Sequence, residues 1–92
     1  MQPGDTFTIG LDAITQDVGG ELIILDLATE RYLSVDPVGA RIWDLLQAQL
    51  PMSEVLDQLV ARYGVARERI EADLGAFVAS LESLGLGRLQ PA

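Results

Sequence analysis

Residues 19–46 read GGELIILDLATERYLSVDPVGARIWDLL, a β-hairpin that runs straight into a capped helix. Gly19 and Gly20 tolerate the positive φ angles of a tight primed turn, and residues 21–27, rich in branched apolar side chains, have the length of a strand. Ahead of the turn, residues 12–18 place Ile14, Gln16 and Val18 on one face and Ala13, Thr15 and Asp17 on the other, the half-polar alternation of an outer strand. After Leu27, the turn formers Ala28, Thr29 and Glu30 lead into residues 31–35, where Arg31, Leu33 and Val35 share a face opposite Tyr32 and Ser34. Three successive strands joined by short turns form a meander, and the third strand lies at its edge.

The period then changes from two to three and four. Asp36 can cap a helix, Pro37 suits its first position, and Ile42, Trp43, Leu45 and Leu46 supply one apolar face up to about Gln49. Pro51 ends that helix, Ser53 is the expected cap of the next, and Val55, Leu56, Leu59, Val60 and Tyr63 mark its buried side before Gly64 stops it. A third helix begins near Ala66 or Arg67. It carries Ile70, Leu74, Phe77, Leu81 and Leu84 in one narrow stripe and closes at Gly85. The expected architecture is therefore α+β and winged helix-turn-helix-like: a three-stranded antiparallel sheet over residues 12–35, then three helices over 36–85. Residues 1–11 read as a loose lead-in in which Phe7 and Ile9 can add a short strand, and residues 86–92 as a tail that folds back or frays.

Composition narrows the function. Ninety-two residues with 49% apolar content make a single small domain. With neither cysteine nor histidine, the chain has no disulfide, no thiolate metal site and neither of the commonest catalytic side chains, so no cofactor, no metal and no enzymatic activity are expected. Pairs such as Asp26/Glu30 and Glu71/Asp73 read as ordinary surface charge. No apolar run spans a bilayer and no signal segment opens the chain, so a cytoplasmic location without a membrane partner is the expectation. Fourteen acidic residues against six arginines give a net charge of −8. The third helix, which would read DNA in a winged-helix regulator, carries Arg67 and Arg69 against Glu68, Glu71, Asp73 and Glu82, or 2 − 4 = −2. Such a surface repels phosphate, so nucleic acid is not an expected partner.

Leu25-Asp26-Leu27, residues 29–33 with Tyr32, and residues 36–46 with Gly39, Ile42 and Trp43 resemble the PqqD-like family of precursor-peptide recognition elements. Tyr63-Gly64-Val65, Ile70, Asp73, Leu81 and Gly85-Leu86 continue the resemblance. It implies a non-catalytic domain that binds the leader of a ribosomally made precursor peptide as an added strand beside the third strand and against the third helix. In style the motifs are similar to the stand-alone recognition proteins of lasso-peptide biosynthesis. By the same resemblance the partners are a precursor leader peptide, a leader peptidase and an ATP-dependent macrocyclase. The alternatives are a PqqD-type chaperone for another modified peptide, such as that of pyrroloquinoline quinone, or a winged-helix DNA-binding regulator. The Pro-Glu pair usual on the hairpin of the pyrroloquinoline quinone protein is absent, and Glu30 stands where many relatives have glycine.

The residues expected at the peptide site are Glu30, Arg31, Tyr32, Leu33, Ser34 and Val35 on the third strand, and Arg69, Ile70, Asp73, Leu74 and Phe77 on the third helix. The strand half of this set also follows from the meander, because an edge strand offers unpaired backbone groups and only Arg31 and the terminal Pro37 blunt this one. Residues 6–9 or 88–90 would close the edge if they paired with it. Tyr32 reads as a groove margin or a core aromatic, and Trp43 as core. Asp73, on the shoulder of the helical stripe, reads equally as a solvated carboxylate near the helix start or as a polar contact for the peptide.

Overall fold

In the computed structural model, which describes residues 1–92, the chain runs β1 (Thr6–Ile9), β2 (Ala13–Val18), β3 (Glu21–Asp26), β4 (Tyr32–Val35), α1 (Pro37–Gln47), α2 (Met52–Tyr63), α3 (Arg67–Ser83) and β5 (Gly87–Gln90). Gly19 and Gly20 take φ of +62° and +88°, and the turn they form sets the register from Val18↔Glu21 to Ala13↔Asp26. β4 pairs along the other side of β3, from Leu22↔Val35 to Leu25↔Tyr32, so the antiparallel order is β2-β3-β4 with β4 at an edge. The α+β meander-then-helices fold follows the sequence pattern.

The β3–β4 turn is organised by Asp26, which is nearly buried. Its Oδ1 accepts the Ala28 N–H at 2.9 Å, and its carbonyl accepts the Glu30 N–H at 2.8 Å. Glu30 sits at φ +62°, a left-handed conformation that glycine adopts without strain. That conformation costs an L-residue about 1–2 kcal/mol, while glycine adds entropy to the unfolded chain. Glu30→Gly is therefore expected to stabilise the domain by about 0.5–1 kcal/mol, raising its thermal midpoint by a few degrees. A lowered midpoint would show that the Glu30 side chain holds the turn.

Asp36 caps α1 as its position predicts, its Oδ1 accepting the Gly39 N–H at 2.7 Å with Pro37 in the first turn. Ser53 does not cap α2. The helix begins at Met52 after Pro51, with no side-chain cap, and its first donors find backbone carbonyls instead: Met52 N–H to Asp5 at 2.8 Å and Ser53 N–H to Pro3 at 2.9 Å. Orphan N–H groups at a helix start need acceptors, and the first residues supply them. Residues 1–11 are thus part of the fold, not a loose lead-in. β1 pairs with β5 from Thr6↔Gln90 to Ile9↔Gly87 in a second, two-stranded sheet, and Phe7 is fully buried.

α3 ends in a Schellman arrangement: Gly85 at φ +72°, Leu86 N–H to the Leu81 carbonyl at 2.9 Å and Gly85 N–H to the Glu82 carbonyl at 3.1 Å. The core gathers Phe7, Ile24, Trp43, Leu46, Met52, Val55, Leu59, Leu74, Val78, Leu81 and Leu86. Trp43 is core, as expected, with Nε1 lacking a partner. On α3 the buried set is Ile70, Leu74, Val78 and Leu81, whereas Phe77 and Leu84 are half-buried. At about 100° per residue, the buried set centres roughly 35° to the side of Ile70 on which Leu74 and Val78 lie, which turns Phe77 and Leu84 toward the opposite margin.

Candidate functional site

Antiparallel ladders alternate residue pairs that exchange hydrogen bonds with pairs that do not. The Asp26 N–H donates to the Arg31 carbonyl at 2.9 Å, and the Leu27 N–H to the Asp12 carbonyl at 3.0 Å. Stepping by two along β3, Leu22, Ile24 and Asp26 bond toward β4, and Glu21, Ile23 and Leu25 toward β2. Leu33 and Val35 therefore direct their backbone groups into the sheet. Tyr32 and Ser34 direct their N–H and C=O outward, along the open edge. The two segments that would have closed that edge pair with each other instead, which leaves β4 with β3 as its strand neighbour.

A trough runs beside this edge, between β4 and α3. One part, about 170 Å³, is lined by Leu33, Ser34, Val35, Asp36, Gly39, Phe77 and Ser80. The next, about 360 Å³, is lined by Leu33, Ala79, Ser80, Ser83 and Leu84; shared Leu33 and Ser80 make the two continuous. Leu33, Val35, Phe77 and Leu84 give it apolar lining, and the small side chains of Ala79, Ser80 and Ser83 leave room between them. Gly39 matters for the same reason. A Cβ there would lie 3.0 Å from the Val35 Cβ and 3.3 Å from the Phe77 ring, so a larger side chain would push into the trough.

Leu33, Ser34, Val35 and Phe77 are brought together as the sequence suggests. Glu30 forms the turn, and Arg31 reaches from the sheet to the end of α3, its Nη1 donating at 3.4 Å to the carbonyl of Ser83, which lines one end of the trough. Tyr32 is 62% exposed and points to the outer face of the sheet, so its contribution to the edge is its backbone. Ile70 and Leu74, also in the expected set, are buried at 8% and 0% exposure and line neither part of the trough. Arg69 and Asp73 are exposed and precede the lining residues of α3, Asp73 by one turn from Phe77. The trough also takes in Asp36, Gly39, Ala79, Ser80, Ser83 and Leu84, which lie outside the expected set. Ser80 and Leu84, three and seven residues after Phe77, lie on its face of the helix and were legible in principle as a small-residue margin.

The outer face of the sheet is apolar as well. Ile14, Leu25 and Tyr32 form one lateral row and Ile23 lies in the next, with Val18 and Leu27 more than half exposed nearby.

A family described as coenzyme PQQ synthesis protein D (PqqD) matches residues 21–86, from the start of β3 to the end of the α3 cap. No curated protein sequence matches. Two solved structures share the fold. One, TbiB1 in complex with the TbiA(beta) leader peptide, is 32% identical over 87% of this chain and 93% of its own, with a TM-score of 0.78. The other, lasso peptide synthetase B1 complexed with the leader peptide, is 24% identical over 92% of this chain and 98% of its own, with a TM-score of 0.79.

Proposed function

Because the chain belongs to the PqqD family, we propose that it binds the leader region of a ribosomally synthesised precursor peptide, added as a strand to β4 against α3, and delivers it to a leader peptidase and a macrocyclase in lasso-peptide biosynthesis. The observation that carries this reading is the coincidence of an unpaired edge at Tyr32 and Ser34 with an apolar trough on the same side. Main-chain bonds to the edge supply affinity for any extended peptide. Alternate side chains, dropping into the trough, supply selectivity. The 32% identical neighbour is described as a leader-peptide complex, in line with binding of a leader. The domain acts by binding rather than by chemistry and requires no cofactor.

Covering one edge and a trough buries on the order of 1,000 Å², enough for micromolar affinity or better once ordering of the peptide is subtracted. Fluorescence anisotropy with labelled lasso-precursor leaders measures it, with a duplex DNA as the negative arm. Sequence-specific DNA binding without leader binding would favour a winged-helix regulator over this reading. The family description favours a second substrate, the precursor of pyrroloquinoline quinone, and tighter binding of that peptide than of any lasso leader would select it.

Delivery needs a second surface. An added strand would extend the sheet, and those of its side chains that avoid the trough would continue the outer row of Ile14, Leu25 and Tyr32. On that continuity we propose the outer face as the docking place for the peptidase. Leu25→Ser is expected to leave leader affinity within about twofold while slowing leader removal roughly tenfold, the effect of losing one apolar anchor. Equal slowing of binding and cleavage would place Leu25 in the leader site instead.

A further inference from the structure

Residues 12–36 contain six acidic side chains, Asp12, Asp17, Glu21, Asp26, Glu30 and Asp36, and one basic one, Arg31. Arg31 opens the free edge. Its carbonyl bonds the Asp26 N–H, so its side chain shares the trough-facing side of the sheet with Leu33 and Val35. The guanidinium spans from the sheet to the last turn of α3, where one exposed bond of 3.4 Å to the Ser83 carbonyl holds it. One such bond leaves most of its five N–H donors free. Ser83, whose carbonyl it meets, lines one end of the trough, and Leu33 is its neighbour on the same face of β4.

The ladder alternation fixes what would face it. A strand pairing antiparallel with β4 through the outward groups of Tyr32 and Ser34 places three residues in non-hydrogen-bonded pairs opposite Val35, Leu33 and Arg31, with Cα atoms about 4.5 Å apart and side chains on the trough face. Read from its N-terminus, the incoming strand meets Val35 first, Leu33 two residues later and Arg31 four residues later. The first two positions lie over an apolar floor. The third lies against a planar cation whose fork matches a carboxylate.

We infer that the leader carries an acidic residue two positions C-terminal to a pair of alternating apolar anchors, and that Arg31 binds this carboxylate and thereby sets the register of the added strand. The inference rests on the leader-binding reading. It also answers a difficulty in that reading: a four-residue edge over an apolar trough lets a strand slide by two residues with little loss. A charge pair at one end removes that degeneracy, and in a chain of net charge −8 no other group on the sheet can make it.

Arg31 also lies near the partial negative charge of the α3 C-terminus, whose last turn has no basic residue of its own, so the test must separate recognition from support of the helix. A display library of twelve-residue peptides, randomised throughout, is selected on the immobilised protein, on Arg31→Gln, which keeps a donor for the Ser83 carbonyl, and on Arg31→Glu. The unsubstituted protein is expected to enrich apolar residues two apart with Asp or Glu two positions further on. Arg31→Gln should retain the apolar pair and lose the acid, and Arg31→Glu should replace it with Lys or Arg. For a resynthesised winner, exchanging the carboxylate for its amide should weaken binding to the unsubstituted protein about three- to tenfold and to Arg31→Gln not at all. Helix support alone would not invert the selected charge. Enrichment of the apolar pair without the acid, or the same acid preference in all three selections, overturns the role of Arg31 and leaves leader binding standing. Failure to enrich any peptide overturns both.

Discussion

Ser34→Pro is expected to weaken leader binding about a hundredfold while shifting the thermal midpoint by no more than a few degrees. The Ser34 N–H points to the open side of β4, so proline removes no bond from the β2-β3-β4 sheet, and edge strands accept proline on their solvent side. The residue before it, Leu33, is already extended, as proline requires of its predecessor. An added strand, however, loses a donor at the centre of a four-residue edge and meets the ring where its own carbonyl would approach. A lost bond and an unsatisfied acceptor together amount to about 2–3 kcal/mol, or roughly a hundredfold in Kd. Anisotropy with a labelled leader, read beside thermal unfolding, checks both halves. Unchanged affinity in the folded variant would mean that the leader does not add to β4.

Phe7→Ala is expected to lower stability by about 3–5 kcal/mol, a large part of what a domain of this size possesses. Phe7 is fully buried and sits over Gly87 on the partner strand, where a Cβ would collide with the ring and lie 2.6 Å from the Thr8 carbonyl oxygen. Gly87→Ala should therefore cost about 1–3 kcal/mol by overpacking the same contact from the other side. Denaturant titration measures both. A midpoint near that of the unsubstituted protein for Phe7→Ala would show β1 to be an ornament on a core made by the remaining elements.

Much of the architecture is written locally. Gly19-Gly20, the Asp36-Pro37 start of α1, Gly64 and Gly85 each act through neighbouring residues, and the structure places all four as their sequence suggests. What escaped the sequence depends on distant partners. Ser53 looks like a cap until Pro3 and Asp5 arrive with their carbonyls. Phe77 fits the apolar stripe as well as Val78 does, and only the packing of α3 against the rest of the core decides which of them is buried. The same holds in the site. Ile70 and Leu74 share the helix face nearest Phe77, yet depth separates them from it. Leu33 seems from sequence the natural place for a proline that blocks the edge, but the ladder shows its N–H committed to β3. Leu33→Pro would damage the sheet itself. The alternation that distinguishes Leu33 from Ser34 is a property of register.

The pairing of Thr6 with Gln90 bears on how the protein is made. β1 has as its partner β5, on the far side of every other element described, and the carbonyls of Pro3 and Asp5 wait for a helix that begins some fifty residues later. During translation, at about 5–20 residues per second, the nascent hairpin and helices can form in turn. Phe7, though, has no Gly87 to lie against until β5 has emerged, so burial of the core waits for that strand. Until then Phe7 stays uncovered, and a stall or truncation before β5 leaves a polypeptide with every element of the trough made and its supporting sheet unmade.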